Sequence, residues 1–402
     1  MRRIDPTTSI ILAGAAVVGL SFGIRSIFGV VLEPISSEFG WPLATMSLAL
    51  AIQNMVWGAA QPVFGAIADR YGDRVALWLG LGLYLVGMAL SAFGTLPWMQ
   101  HLGAGLFVGM GIAGTAFGIV LSVVGRAVPE ERRSMAMGLT SALGAFGQVA
   151  MPLFAGWLTV AYGWQTTLFV MGVLLLPMAL CIPHLVPRSA AGPTTTEAEV
   201  ALSTMLGRAL RHPSYILLAL GFFVCGFHVA FMAAHLPNFV AEACNSLTLG
   251  ATSLALIGLA NVGGTLVAGR LGASYPKPYV LSGIYALRAV VILVFIALPI
   301  TPVSVVIFSL AIGVLWLSTV PLTTALVASM FGARALGTLY GIVFFSHQIG
   351  SFLGVYLGGR LYDATGNYDL IWYAAIGLGI FSAIVHLPVR EAAWRPAAPA
   401  TA

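Results

Sequence analysis

Long apolar runs broken by short polar turns dominate the chain. In a window of about 19 residues, hydropathy peaks over 9–33, 42–63, 75–95, 101–125, 136–160 and 165–186, then over 213–237, 247–268, 279–298, 303–328, 336–358 and 369–389. Each run is long enough to cross a hydrocarbon layer of about 30 Å as a helix. Helices are the expected form, because lipid offers no partner to an unpaired backbone N–H or C=O. The short alternating segments of a closed barrel do not occur. The longest polar stretch, VPRSAAGPTTTEAEVALSTMLGRALRH, falls between the sixth and seventh runs. The pattern predicts an all-α integral membrane protein of twelve spans: a six-helix bundle over 1–187, a linker over 188–212 and a second bundle over 213–402.

Composition agrees with lipid as the solvent. Of 402 residues, 59% are hydrophobic and 8% charged, with a mean hydropathy of +0.97; a soluble domain carries about a quarter charged residues. The N-terminal MRRIDPTTSI precedes an apolar stretch too long for a signal-peptide core, with no small-residue cleavage site after it, which predicts a retained first span. Cys181, Cys225 and Cys244 are scattered and lack metal-ligand spacing. The net charge of +5 follows topology rather than a nucleic-acid patch. With the N-terminus inside, the cytoplasmic side collects Arg2, Arg3, Arg70, Arg74, Arg126, Arg132, Arg133, Arg188, Arg208, Arg211, Arg270, Lys277, Arg334, Arg390 and Arg395, and the outer side only Arg360. This positive-inside bias predicts both termini in the cytoplasm, with the protein in the cell inner (plasma) membrane. Phosphate-binding glycine loops, His–Glu metal motifs and nucleophile elbows are missing. The sequence therefore predicts no enzyme and implies no cofactor or metal.

The two halves also resemble each other. Aligning FGIRSIFGVVLEPI with CGFHVAFMAAHLPN matches Gly23 to Gly226, Phe28 to Phe231 and Pro34 to Pro237, all at a separation of 203. Repeated halves around a central binding site are a common plan of secondary transporters. GAIADRYGDRVAL (65–77), between the second and third runs, resembles the signature loop of the major facilitator superfamily through Gly65, Asp69, Arg70, Gly72 and Arg74. The FG…P…FGW run of the first span and AVPEERRSMAMG after the fourth resemble bacterial monocarboxylate porters and oxalate/formate exchangers. The resemblance implies two pseudo-symmetric six-helix bundles that rock about a central cavity, with the signature loop as a conformational latch. Asp69 is expected to cap a helix N-terminus and to pair with arginines across the seam between the halves. The chain also departs from the family. AGLFVGMGIAG in the fourth span lacks the arginine associated with proton coupling, and Gln148 follows Gly147 where exchangers carry a glycine–proline motif. The eighth span offers Asn261 and Thr265 where eukaryotic-type carriers have an Asp/Arg pair.

Ionisable groups within the spans narrow the chemistry further. A guanidinium in the bilayer core costs several kcal/mol at the least, yet Arg25 interrupts the first span (VVGLSFGIRSIFGVVLEP). It is permanently charged and its planar fork suits a carboxylate; pairing with backbone carbonyls or with Glu33 is the structural alternative. The repeat sets His228 at the equivalent position of the seventh span, which the resemblance places across the cavity from Arg25. There an imidazole can help bind the anion and carry a proton, or simply fill space. His235, two turns on, and Glu33 are further proton-coupling candidates. Arg288 is either a second anion ligand or a partner for carbonyls at a helix junction. His347, Gln348 and Asn54 are candidate cavity residues, with Gln53, Trp57, Trp316, Ser318 and Thr319 given less weight. Apart from Asp369 at the very start of the twelfth run, Glu33 is the only carboxylate inside a predicted span. A cationic solute would find a positive charge and almost nothing to neutralise it. The sequence thus predicts a monomeric secondary active transporter of small organic anions, monocarboxylates first, working by alternating access with proton symport or exchange. The alternative is an exporter of hydrophobic drugs in which Arg25 is structural.

Overall fold

The computed structural model describes residues 6–115, 117–128, 130–186, 207, 209–331 and 336–391. These residues form helices and turns, without a strand among them. Residues 187–206 and 208, which include most of the linker expected over 188–212, lie outside the described residues. Eleven stretches are individually long and apolar enough to cross a membrane. The number falls one short of the twelve spans because the fifth and sixth form one unbroken stretch, Met135–Leu185. Within it, Gly163 (φ +83°) turns the chain back on itself in the left-handed region that a side chain disfavours.

The first span is longer than its hydropathy peak and consists of helices Pro6–Ser26 and Phe28–Phe39. At the junction Ser26 Oγ donates to Gly23 O at 2.6 Å and Ile27 N reaches back only to Ile24 O, a local bond that competes with the helical ladder. Span 2 is Leu43–Tyr71, span 3 Asp73–Phe93 and span 7 Pro213–Cys244. Spans 8, 9, 11 and 12 are Leu247–Ser274, Lys277–Ala297, Leu336–Thr365 and Asp369–His386. Span 4 contains a π-helical segment, His101–Phe107, where Ala104 O accepts from Gln53 Nε2 of span 2 at 2.8 Å. Span 10 is broken into Pro302–Leu315 and Thr319–Phe331. Its second piece carries Pro321 in the first turn, which has no N–H to continue the ladder.

Glycine pairs hold each half together and repeat at the separation seen in the sequence. A Cβ on Gly23 would lie 2.7 Å from Gly147 O, and one on Gly147 would strike Gly19 O, so spans 1 and 5 touch backbone to backbone. The equivalents 203 residues later, Gly226 and Gly350, bring spans 7 and 11 together in the same way, against His347 O and Phe223 O. Small residues permit such close approach where lipid supplies no hydrophobic drive. Spans 3, 6, 9 and 12 turn large apolar side chains outward, among them Trp78, Phe169, Leu293 and Phe381, as a lipid-facing surface requires.

The halves meet through spans 1, 2 and 5 on one side and 7, 8 and 11 on the other. One rim of the molecule carries Arg70, Arg74, Arg126, Arg270, Lys277 and Arg390; the far rim carries Arg360. Contact between the halves is concentrated toward the far rim. There Asp363, at the end of span 11, accepts from Leu43 N (2.9 Å) and Ala44 N (2.8 Å) at the start of span 2. Gly359 lies against Ser47 and Ala44, and Gly29 against Ala233 O. Midway, Gly58 meets Gln348. Beyond that point, among the described residues, the same face of span 2 loses its partner: Pro62 is exposed and a Cβ on Gly65 would meet nothing within 4 Å. Among the described residues the halves are closed at the far rim and part toward the basic one.

Candidate functional site

Arg25 sits one residue before the break in span 1, at the seam with span 2. Its Nη2 donates to Asn54 Oδ1 at 2.7 Å, and its guanidinium carbon lies 5.0 Å from the centre of the Trp57 ring. Asn54 holds its own orientation by donating to Leu50 O at 2.8 Å. A guanidinium offers five N–H donors, and Asn54 takes one of them; Nε has no partner. The side chain is half-buried. Among the described residues no carboxylate pairs with it: both ion pairs, Asp73–Arg126 and Lys277–Glu391, lie at the basic rim within a single half. Glu33 is half-buried further along span 1, in electrostatic range of Tyr362.

A chain of hydrogen bonds continues from this cation into the opposite half. Asn54 O accepts from Gln348 Nε2 at 2.9 Å, and Gln348 Oε1 lies 3.1 Å from His347 Nδ1. Arg25, Asn54, Gln348 and His347 therefore form one cluster across the seam, on the residues that the sequence singled out.

The other candidates are placed elsewhere. His228 does not face Arg25: its Nε2 lies 2.7 Å from Ala375 O of span 12, and it is buried within its own half. Equivalent positions on paired helices need not point to the same neighbour, and the short imidazole stays where span 12 offers a carbonyl. His235 is likewise buried, with Nε2 2.8 Å from Val355 O and Nδ1 3.4 Å from Tyr368 Oη. Arg288 takes the helix-junction role. Its Nε and Nη2 donate to Leu315 O at 3.1 and 2.6 Å, and Nη2 also reaches Trp316 O. It thus satisfies the carbonyls freed where span 10 breaks, with its charge at a helix C-terminus. Asn261 closes the other side of the break by accepting from Leu317 N at 3.0 Å. The two arginines differ in degree: Arg288 donates three hydrogen bonds to the carbonyls of Leu315 and Trp316 and keeps one unpartnered nitrogen, Nη1, whereas Arg25 donates one, to Asn54.

The signature loop makes no seam-crossing ion pair among the described residues. The side chain of Asp69 lies outside them, Arg70 stands over the Tyr71 ring at 5.4 Å, and Arg74 is half-buried. Gly72, at φ +93°, makes the turn into span 3, and nothing lies near Gly65. The clamp across the seam is instead Asp363, which the sequence reading missed although a signal was present. GRLYDATG (359–366) repeats the Gly–x3–Asp–x2–Gly spacing of GAIADRYG (65–72). Each forms the C-terminal end of one of two antiparallel helices that pack together.

Residues 14–355 match the Major Facilitator Superfamily. The chain belongs to that superfamily. It is 28% identical over 381 residues to monocarboxylate transporter 13 of Bos taurus, covering 91% of this chain and 86% of that one. It is 26% identical over 382 residues to the MFS-type transporter YcxA of Bacillus subtilis (strain 168), covering 90% of each. Among solved structures, it resembles a D-xylose–proton symporter (TM-score 0.73, 14% identity, 97% of this chain and 100% of that one). A bacterial homolog of the human lysosomal transporter Spinster aligns with a TM-score of 0.76 at 14% identity, over 98% of this chain and 100% of that one. The superfamily member described here is a multi-pass membrane transporter with the twelve-helix fold, not an enzyme.

Proposed function

We propose that this transporter is a secondary carrier of small organic anions, chiefly monocarboxylates, and that Arg25 receives the carboxylate. The observation that carries this reading is a permanent cation within the membrane span that has, among the described residues, one protein hydrogen bond and no carboxylate partner. A charge held this way is costly unless an anion completes it. Similarity to a monocarboxylate transporter over most of both chains supports the same class of cargo. Alternating access would carry the site between the two rims, with a proton or a counter-anion balancing the charge. The arginine-rich rim is then the cytoplasmic one and the closed far rim the outer one, by the positive-inside rule; the protein would act as a monomer in the cell inner membrane.

The test is uptake of labelled monocarboxylates into proteoliposomes, with and without a pH gradient. Arg25→Ala is expected to abolish uptake while the protein remains monodisperse and folded, and Arg25→Lys to retain a fraction of it. Undiminished uptake by Arg25→Ala would remove the basis of the proposal. Stimulation by an inward proton gradient marks symport; stimulation only by internal carboxylate marks exchange.

A further inference from the structure

Aromatic rings continue from Arg25 toward the basic rim, and they come from both halves. Phe22 lies one helical turn from Arg25 and contacts Trp57 (centroids 5.4 Å apart, interplanar 78°) and Phe117 of span 4 (4.7 Å). Trp57 meets Phe344 of span 11 edge-on at 5.3 Å, and Phe344 meets Tyr340 at 6.3 Å. Tyr340, Phe344 and His347 share one helix face at spacings of four and three. The Trp57–Phe344 contact shows that this face looks across the seam rather than toward lipid. Phe117, Tyr340 and Phe344 are half-buried, so their rings are not fully covered by protein. Trp57 is 8% exposed, and its Nε1 has no hydrogen-bond partner. That is an unmet buried donor next to the unmet donors of Arg25.

Resting on the carrier reading above, we propose that the substrate is a carboxylic acid with a planar aromatic body, such as an aryl or indolyl alkanoic or 2-oxo acid. Its carboxylate meets Arg25 and its ring lies among Phe22, Trp57, Phe117, Phe344 and Tyr340. Length supports this. The seven steps from Tyr340 to His347 rise about 10 Å at 1.5 Å per residue, enough wall for an arylalkanoic acid. A three-carbon acid would reach only the cation and leave the rings unused. Edge-to-face and offset ring contacts add attraction beyond simple area burial, and Trp57 Nε1 supplies a donor for a keto or ring heteroatom next to the carboxylate. Charge supports it as well, since no carboxylate among the described residues pairs with the cation at the head of this wall.

Pyruvate and phenylpyruvate form a matched pair that differs by the ring alone. Competition by each against labelled phenylpyruvate uptake in proteoliposomes, together with thermal stabilisation of the purified full-length protein, tests the proposal. Phenylpyruvate is expected to bind at least tenfold more tightly than pyruvate. Phe344→Leu and Tyr340→Leu, which keep apolar volume but remove a ring, are expected to narrow that ratio below threefold by weakening phenylpyruvate more than pyruvate. Two variants on different turns guard against one of them failing to fold. Equal affinity for the two acids, with both lost in Arg25→Ala, would overturn the aromatic class and leave the carrier reading intact. Binding of neither acid, or binding of both that survives Arg25→Ala, would overturn the carrier reading and this inference with it.

Discussion

Asp363→Ala removes the hydrogen-bonded tie that joins the halves at the far rim. Both oxygens of that carboxylate accept backbone N–H groups from the first turn of span 2, at 2.9 and 2.8 Å. Those two donors have no intrahelical acceptor, so the aspartate acts as an N-cap supplied from the opposite half, with its charge at the positive end of a helix. Removing a capping side chain costs about 0.5–2 kcal/mol. Asp363 is exposed, so solvent screens the interaction and the expected loss is about 0.5–1 kcal/mol, a factor of about 2–5 in an equilibrium constant. The loss falls only on the state closed at the far rim, because the bonds exist only there. The substitution should therefore shift the population by that factor toward the state open at the far rim. Pulsed electron–electron distances between spin labels at Thr95 and Pro299, one on each half at that rim, read this directly. Growth of a longer-distance population in Asp363→Ala, with a smaller change in Asp363→Asn, is the expected result. An unchanged distance distribution in a folded Asp363→Ala protein would refute the reasoning.

Other outcomes follow from the same packing. Gly29→Ala puts a methyl where Ala233 O sits, so it should open the far rim by an independent route and lengthen the same spin-label distance. Arg288→Gln leaves carbonyls of Leu315 and Trp316 without their donor. At about 1–3 kcal/mol per unsatisfied buried group, it should lower the detergent melting temperature by several degrees while the carboxylate specificity of the residual folded protein is unchanged. Gln348→Ala breaks the bond to Asn54 O and should weaken substrate binding less than tenfold, because the cation itself stays in place.

The spans were readable because hydropathy alone separates lipid-facing helices from loops, and the repeat was readable because close helix contacts demand glycine at fixed places. Gly23 and Gly226 illustrate this: each stands where a backbone from another span leaves no room for a Cβ. The turn at Gly163 falls in the gap between the runs 136–160 and 165–186, where a glycine marks the reversal. Arg25 and Asn54 could be singled out from sequence because polar groups in lipid demand a reason. Their neighbours Phe22 and Phe344 could not, because an aromatic ring reads the same in a cavity wall as in a core. His228 shows the limit of the repeat argument: alignment gives the position on the helix, and the neighbouring span decides where the ring points. Asp363 was hidden by its location outside the hydropathy peak of span 11, although its spacing to Gly359 and Gly366 copies that of Asp69 to Gly65 and Gly72.

The most direct measurement of the central claim is equilibrium binding of a labelled monocarboxylate to the purified transporter, wild type against Arg25→Ala and Arg25→Lys. Two charge-assisted hydrogen bonds at about 1.5 kcal/mol each correspond to roughly a hundredfold in affinity. Arg25→Ala should weaken binding by about that factor and Arg25→Lys by less, with circular dichroism unchanged. Wild-type affinity retained in a folded Arg25→Ala protein would contradict the account.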